Sequence, residues 1–265
     1  MNNNLPNYTI KGQGKPLLLI PGMEGHKEFW KYQVLEFSKH YQVIATDLPK
    51  RKPNLSSTIK DYANSIIAIL DKENIEKIVI AGESFGGVVS QEIAINNPNR
   101  LQALILANTL YAPEYSNFGL NMFTLATFVH PFAFINIFPR RIKKQILNWV
   151  GSHNGFVMDS SPGNSLLSDY ILDYGLSSGF GAYLDRLIAG LKVNYLDSLK
   201  KINVPTLFLR GQDDMVVSEK VVENFLDKIP DIELAVIKGA GHCCQQTSYT
   251  KTNIAILEWL KKIKY

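Results

Sequence analysis

A doubly wound, mostly parallel α/β sheet carrying one helical insertion is the fold class this sequence predicts, and three observations predict it. Short apolar, β-branched runs alternate with stretches of helical period in the first hundred residues and again after residue 200. The strand-like run Lys77–Ala81 stops at Gly82, and apolar residues resume at helical spacing from Val88 to Asn96. From about Thr109 to about Leu196 the alternation ceases, and prolines and glycines break an otherwise helical text. The chain therefore divides into a core, 1–108 and 197–265, and an inserted helical cap, 109–196.

Each element follows from its local pattern. Tyr8–Ile10 is a short edge strand, and Pro16–Ile20 a buried strand ending in the turn Pro21-Gly22-Met23-Glu24-Gly25. His26–His40 reads as a helix with Phe29, Trp30, Val34 and Phe37 apolar, and Gln42–Thr46 as the next strand. Thr58–Glu73 is an amphipathic helix with Ile59, Tyr62, Ile66 and Ile69 on one face. Leu101–Ala107 and Asn203–Arg210 are strands, Ser218–Lys228 a helix and Ile232–Lys238 a strand. Thr250–Lys262 is a closing helix with Ile254, Leu257 and Leu260 inward.

Composition narrows the class. Hydrophobic residues make up 46% and charged residues 20% of the 265, which suits a globular enzyme with a sizeable core. A net charge of +4 is too small and too scattered to argue for a nucleic-acid partner. The first residues, Met1–Pro6, lack the basic and apolar parts of a signal peptide. The only cysteines, Cys243 and Cys244, are adjacent and poorly placed to pair, which suits a reducing, cytoplasmic setting. The five histidines show no metal-ligand spacing.

The chemistry centres on Gly82-Glu83-Ser84-Phe85-Gly86. A serine between two glycines, with a strand before and a helix after, is the pattern of a sharp nucleophile turn. The hydroxyl then stands at a strand tip, beside helix N–H groups that favour a developing anion. The pattern occurs again at Gly175-Leu176-Ser177-Ser178-Gly179, but no β-branched run precedes it, and it reads as a loop between helices. Context selects Ser84. Asp213 and Asp214 lie just past the strand ending at Arg210, and His242 lies just past the strand ending at Lys238. Pro21-Gly22-Met23 can aim a backbone N–H at the same place. In a parallel sheet all these loops gather at the carboxyl ends of the strands.

With these features the sequence resembles the α/β-hydrolase superfamily over nearly the whole chain outside the insertion. The carriers are Gly82-Glu83-Ser84-Phe85-Gly86-Gly87, Gly211-Gln212-Asp213-Asp214-Met215-Val216-Val217 and Gly239-Ala240-Gly241-His242. Two departures stand out: Pro21-Gly22 replaces the usual His-Gly, and Asp47-Leu48-Pro49-Lys50-Arg51-Lys52 replaces the usual Asp-x-x-Gly-x-Gly. The resemblance implies a Ser-His-Asp triad in the chain order Ser, Asp, His. Ser84 would be the nucleophile, His242 the general base and acid, and the family spacing Gly-x-x-Asp-x-x-Val selects Asp214. The backbone N–H groups of Met23 and Phe85 would bind the oxyanion. The implied activity is hydrolysis of a small-molecule carboxylic ester without cofactor or metal. Thioesterase and acyltransferase chemistry use the same triad, and a ligand-binding receptor on a hydrolase shell is the alternative of another class.

The remaining residues have plainer readings. Phe118, Met122, Phe123, Leu125, Phe128, Phe132, Phe134, Ile135 and Phe138 crowd the early insertion. The stretch is long enough for a membrane span, but Asn121, His130, Pro131 and Asn136 argue against one. Phe123, Phe128 and Phe132 are the candidates to line an apolar acyl pocket. Arg140, Arg141, Lys143 and Lys144 are a solvated helix face or an attractor of an anionic substrate tail. Glu24 and Glu83 read as solvated or bonded to loop backbone, and Asp47 as a strand-end cap. His26, His40, His130 and His153 read as structural or exposed.

Overall fold

The structure, a computed structural model, describes residues 5–49, 57–113, 138–154, 164–175 and 177–265. Among these residues seven strands form one sheet: β1 (Tyr8–Lys11), β2 (Pro16–Ile20), β3 (Gln42–Thr46), β4 (Ile78–Glu83), β5 (Leu101–Ala107), β6 (Thr206–Gly211) and β7 (Ile232–Ile237). Their order is β1-β3-β2-β4-β5-β6-β7, and only β1 runs antiparallel to its neighbour. The central strands are buried on both faces, which is why they read as unbroken apolar runs rather than alternating ones. Leu18, Ile20, Ile80, Leu104, Leu106 and Phe208 pack on one face beneath helices Ile59–Lys72, Phe85–Asn96 and Glu219–Lys228. Leu17, Leu19, Val79, Ala81, Ile105 and Leu207 pack on the other, with Trp30, Phe37, Ile256, Trp259 and Leu260.

Register places the functional loops. Ile20 pairs with Gly82, Gly82 with Leu106, Ala107 with Leu209, and Gly211 with Ile237. Strands β2, β4, β5, β6 and β7 therefore end at one level, and the loops that follow them meet there.

Several expected boundaries shift for identifiable reasons. The stretch expected as one helix from His26 opens as a 3₁₀ turn, Lys27–Trp30, and becomes α-helical over Lys31–Phe37. Helix Ile59–Lys72 starts at a capping box in which Thr58 and Asp61 satisfy each other's backbone N–H. The elbow strand runs on to Glu83 and its helix begins at Phe85, so the turn is one residue long. In the closing helix, Tyr249–Lys262, Ile254 is 52% exposed instead of inward. The inward residues there are Thr252, Asn253, Ile256, Trp259 and Leu260. Asn253 accepts from Gln33 Nε2 at 2.7 Å, so that seam is partly polar and apolarity alone misplaces the face.

Within 109–196 the described residues form helices Arg140–Asn154, Asn164–Tyr174 and Phe180–Leu191. Arg140 pairs with Asp169 and Asp173, and Lys144 with Asp169, so these two cations join neighbouring cap helices rather than waiting for a substrate. Phe138 is exposed, and Phe123, Phe128, Phe132 and His130 lie outside the described residues. Among the described residues no helix is long and apolar enough to cross a membrane.

Candidate active site

Ser84 is the whole of the turn between β4 and the helix that follows. Its φ of 49° and ψ of −117° are strained for a residue with a side chain, a cost of about 1–3 kcal/mol. Neighbours hold it there. Ser84 N–H donates to Ala107 O at 2.9 Å, and Thr109 Oγ donates to Ser84 O at 2.6 Å. The flanking glycines leave room for backbone: a Cβ on Gly86 would stand 2.4 Å from Ile20 O, and one on Gly82 2.4 Å from Gly86 O. Any side chain at either position would push the turn apart.

The loop after β7 brings His242 over this hydroxyl, with Nε2 3.2 Å from Ser84 Oγ. Nδ1 lies 2.9 Å from Asp214 Oδ2. The other carboxylate oxygen, Oδ1, accepts from Val216 N–H at 2.8 Å and Val217 N–H at 3.1 Å. Asp214 is buried, while Asp213 is exposed and uses its N–H on Ala240 O. With the Nδ1 proton directed at Asp214, Nε2 is left to accept from the serine O–H. Burial lowers the imidazole pKa, but the charge and hydrogen bond of Asp214, joined by Glu83, outweigh it and leave the value raised.

Four residues that the motifs do not announce complete the arrangement. Asn108, at φ 45°, donates Nδ2 to His242 O at 2.6 Å and accepts on Oδ1 from Gly211 N–H at 2.8 Å. One amide thus ties the ends of β5 and β6 to the histidine loop. Thr109 is the second, through its bond to Ser84 O. Arg186, fully buried on cap helix Phe180–Leu191, donates Nε to Met23 O at 2.7 Å and Nη2 to Ser178 Oγ at 2.8 Å. It clasps the turn after β2 that carries Met23. Glu83 is the fourth. It is 3% exposed rather than solvated, and its Oε1 lies 3.7 Å from His242 Nε2. Burial, with the charges of Asp214 and Glu24, pushes its pKa up to about 8 against the pull of His242 and a backbone bond from Gly22.

The plainer residues fall as follows. His26 Nδ1 caps the turn at Glu28 N–H, and its ring stacks on Tyr174 at 4.4 Å. Asp47 caps the same turn, accepting from Lys27 N–H at 2.9 Å. Cys243 and Cys244 are buried free thiols. The second serine pattern lies between helices Asn164–Tyr174 and Phe180–Leu191, as its context predicts.

Comparison with known proteins places the fold. A hydrolase of Acinetobacter baylyi acting on (E)-2-((N-methylformamido)methylene)succinate is 22% identical, with 98% of this chain and 95% of that protein covered. A thermophilic esterase from Thermogutta terrifontis, solved with malate bound, superposes with a TM-score of 0.79 at 24% identity, covering 97% and 93% of the two chains. An enol-lactonase from Burkholderia xenovorans superposes with a TM-score of 0.77 at 16% identity, covering 96% of each. At these identities the two structures speak for the fold. The family model described as alpha/beta hydrolase fold matches residues 15–248, which takes in both ends of the site from Met23 to His242. The chain is a member of the alpha/beta hydrolase fold family.

Proposed function

We propose that this protein is a serine hydrolase that cleaves a carboxylic ester of a small to medium apolar acyl group through an acyl-enzyme intermediate. The observation that carries the reading is the contact chain from Ser84 Oγ through the His242 ring to Asp214. His242 Nε2 takes the Ser84 proton as Oγ attacks the ester carbonyl. Asp214 holds the tautomer and stabilises the imidazolium. The oxyanion forms beside the backbone N–H groups of Met23 and Phe85; the Phe85 N–H belongs to a first helical turn and has no acceptor within its helix. His242 then returns the proton to the leaving alcohol, and water repeats the cycle on the acyl-enzyme.

The cap, 109–196, belongs to the same proposal as the roof of the acyl pocket, with Phe123, Phe128 and Phe132 as its apolar lining. The buried charged residues of helix Phe180–Leu191 are already engaged, Arg186 as above and Asp185 by Tyr62 Oη at 3.1 Å, and the buried apolar and aromatic residues of the described cap are Leu147, Leu167, Tyr170, Ala182, Tyr183 and Ala189. A cytoplasmic setting, in which both cysteines stay reduced, fits the same reading.

The test is a panel of p-nitrophenyl esters of graded chain length together with a fluorophosphonate probe. Turnover of short and medium esters with labelling at Ser84 is expected. Labelling without turnover of any ester points to the thioester or acyl-transfer alternatives, and neither labelling nor turnover points to a ligand-binding shell. A flat chain-length profile, unchanged in Phe128→Ala, would remove the cap from substrate selection.

A further inference from the structure

Glu83 has no part in the relay just described, yet its carboxyl group is buried between the two halves of the site. One oxygen lies 3.7 Å from the ring nitrogen of His242 that faces Ser84. The other occupies the space of a missing side chain: a Cβ on Gly22 would stand 2.2 Å from Glu83 Oε2, and 3.2 Å from Ser84 Cβ. Gly22 donates its backbone N–H to this carboxyl. Gly22 is also the residue before Met23, the proposed oxyanion donor.

We propose that Glu83 is a positioning residue for the oxyanion turn, that it works as the neutral acid, and that its ionisation switches the reaction off at alkaline pH. This rests on the serine-hydrolase reading of the same site. The neutral carboxyl braces the turn by accepting from Gly22 N–H. The ionised form would put a second carboxylate beside Asp214 and a negative charge next to the forming oxyanion, where the reaction needs positive potential.

The surroundings leave this ionisation visible. Facing Glu83 are His242, Cys243 and Cys244 after β7, Asp214 after β6, Glu24 after β2 and Tyr170 from the cap. Burial pushes both thiols and the tyrosine up, Cys244 to about 12, so they stay neutral through the working range. Glu83 is neutral below about 8 and charged above it. His242 must lose its proton to act as base, so activity rises as pH passes the raised imidazole value. It then falls as Glu83 ionises, by about tenfold per pH unit if the charged form is inactive. Two groups this close titrate as a pair, and both limbs belong to the pair.

The experiment measures kcat and KM for a p-nitrophenyl ester from about pH 6 to about pH 10 in wild type, Glu83→Gln, Glu83→Ala, Gly22→Ala and the Gly22→Ala/Glu83→Ala double variant. Thermal melts at each pH confirm folding. Wild type should show the alkaline fall and Glu83→Gln should lack it, while keeping neutral-pH kcat within about tenfold because the amide oxygen still accepts from Gly22. Glu83→Ala should lose about 10²-fold in kcat with little change in KM, the pattern of a mispositioned oxyanion donor. Gly22→Ala should be as poor, and adding it to Glu83→Ala should cost little more, because the colliding carboxyl is gone. An unchanged alkaline limb in Glu83→Gln, or wild-type kcat in Glu83→Ala, overturns the proposal. If the Glu83 variants do not fold, a wild-type profile with no alkaline fall, or Gly22→Ala with wild-type kcat, overturns it. An active Ser84→Ala would overturn the serine reading itself.

Discussion

The sequence Gly-x-Ser-x-Gly occurs twice in this chain, at 82–86 and at 175–179, and the two copies sit in opposite surroundings. The first is wedged between a central strand and a buried helix. Its serine is held at positive φ, and Cβ atoms on its glycines would strike backbone oxygens 2.4 Å away. The second joins two cap helices, and a Cβ on Gly179 would meet nothing within 4 Å. The glycines of the first copy answer to crowding. Gly179 answers only to its own φ of 85°. The lesson is that the pattern acquires chemistry from the sheet beneath it. The two copies are nonetheless connected: Ser178 in the second bonds Arg186, and Arg186 bonds the carbonyl of Met23 beside the first.

The comparison breaks most sharply at the serines themselves. Ser84→Ala is expected to lose about 10⁴–10⁶ in ester turnover, as other triads do on losing the nucleophile, while Ser177→Ala keeps wild-type turnover. Equal losses in the two variants, measured side by side, would mean that context does not separate the copies. Next comes the acid. Asp214→Asn should cost about 10⁴ in kcat because an amide holds the wrong imidazole tautomer, and Asp213→Asn should stay near wild type. The reverse order would move the acid to Asp213.

The link between the copies is tested by Arg186→Met. Losing its hold on Met23 O should displace the turn proposed to carry the oxyanion N–H and cost about 10²-fold in kcat/KM. Ser178→Ala removes only one of that guanidinium's bonds and should cost far less. Comparable effects from both would show that the clasp acts through the cap turn alone. The smallest effects are on stability. Gly86→Ala should destabilise by about 3 kcal/mol or more through overpacking, and Gly179→Ala by about 2 kcal/mol through backbone strain alone at φ 85° and ψ 150°. Chemical denaturation of both reads the difference, and equal values would erase the contrast in crowding.

By itself the sequence determined the alternation of strands and helices, the serine turn and the loops carrying Asp214 and His242. These are local properties: period, β-branching and glycine spacing act between residues close in the chain. It also separated the two serine patterns, because a buried strand before one and not the other is visible in a dozen residues. The helix face holding Ile254 was misread because the inward residue there is Asn253, bonded across the fold to Gln33. A polar group inside carries no periodic signal. Only the tertiary structure decided the contacts of Asn108, Arg186 and Glu83. Asn108 reaches a residue 134 positions away, and Arg186 one 163 positions away. Glu83 looks like any charged loop residue until β2 and β7 close over it, and burial rather than sequence then decides whether its carboxyl keeps a proton.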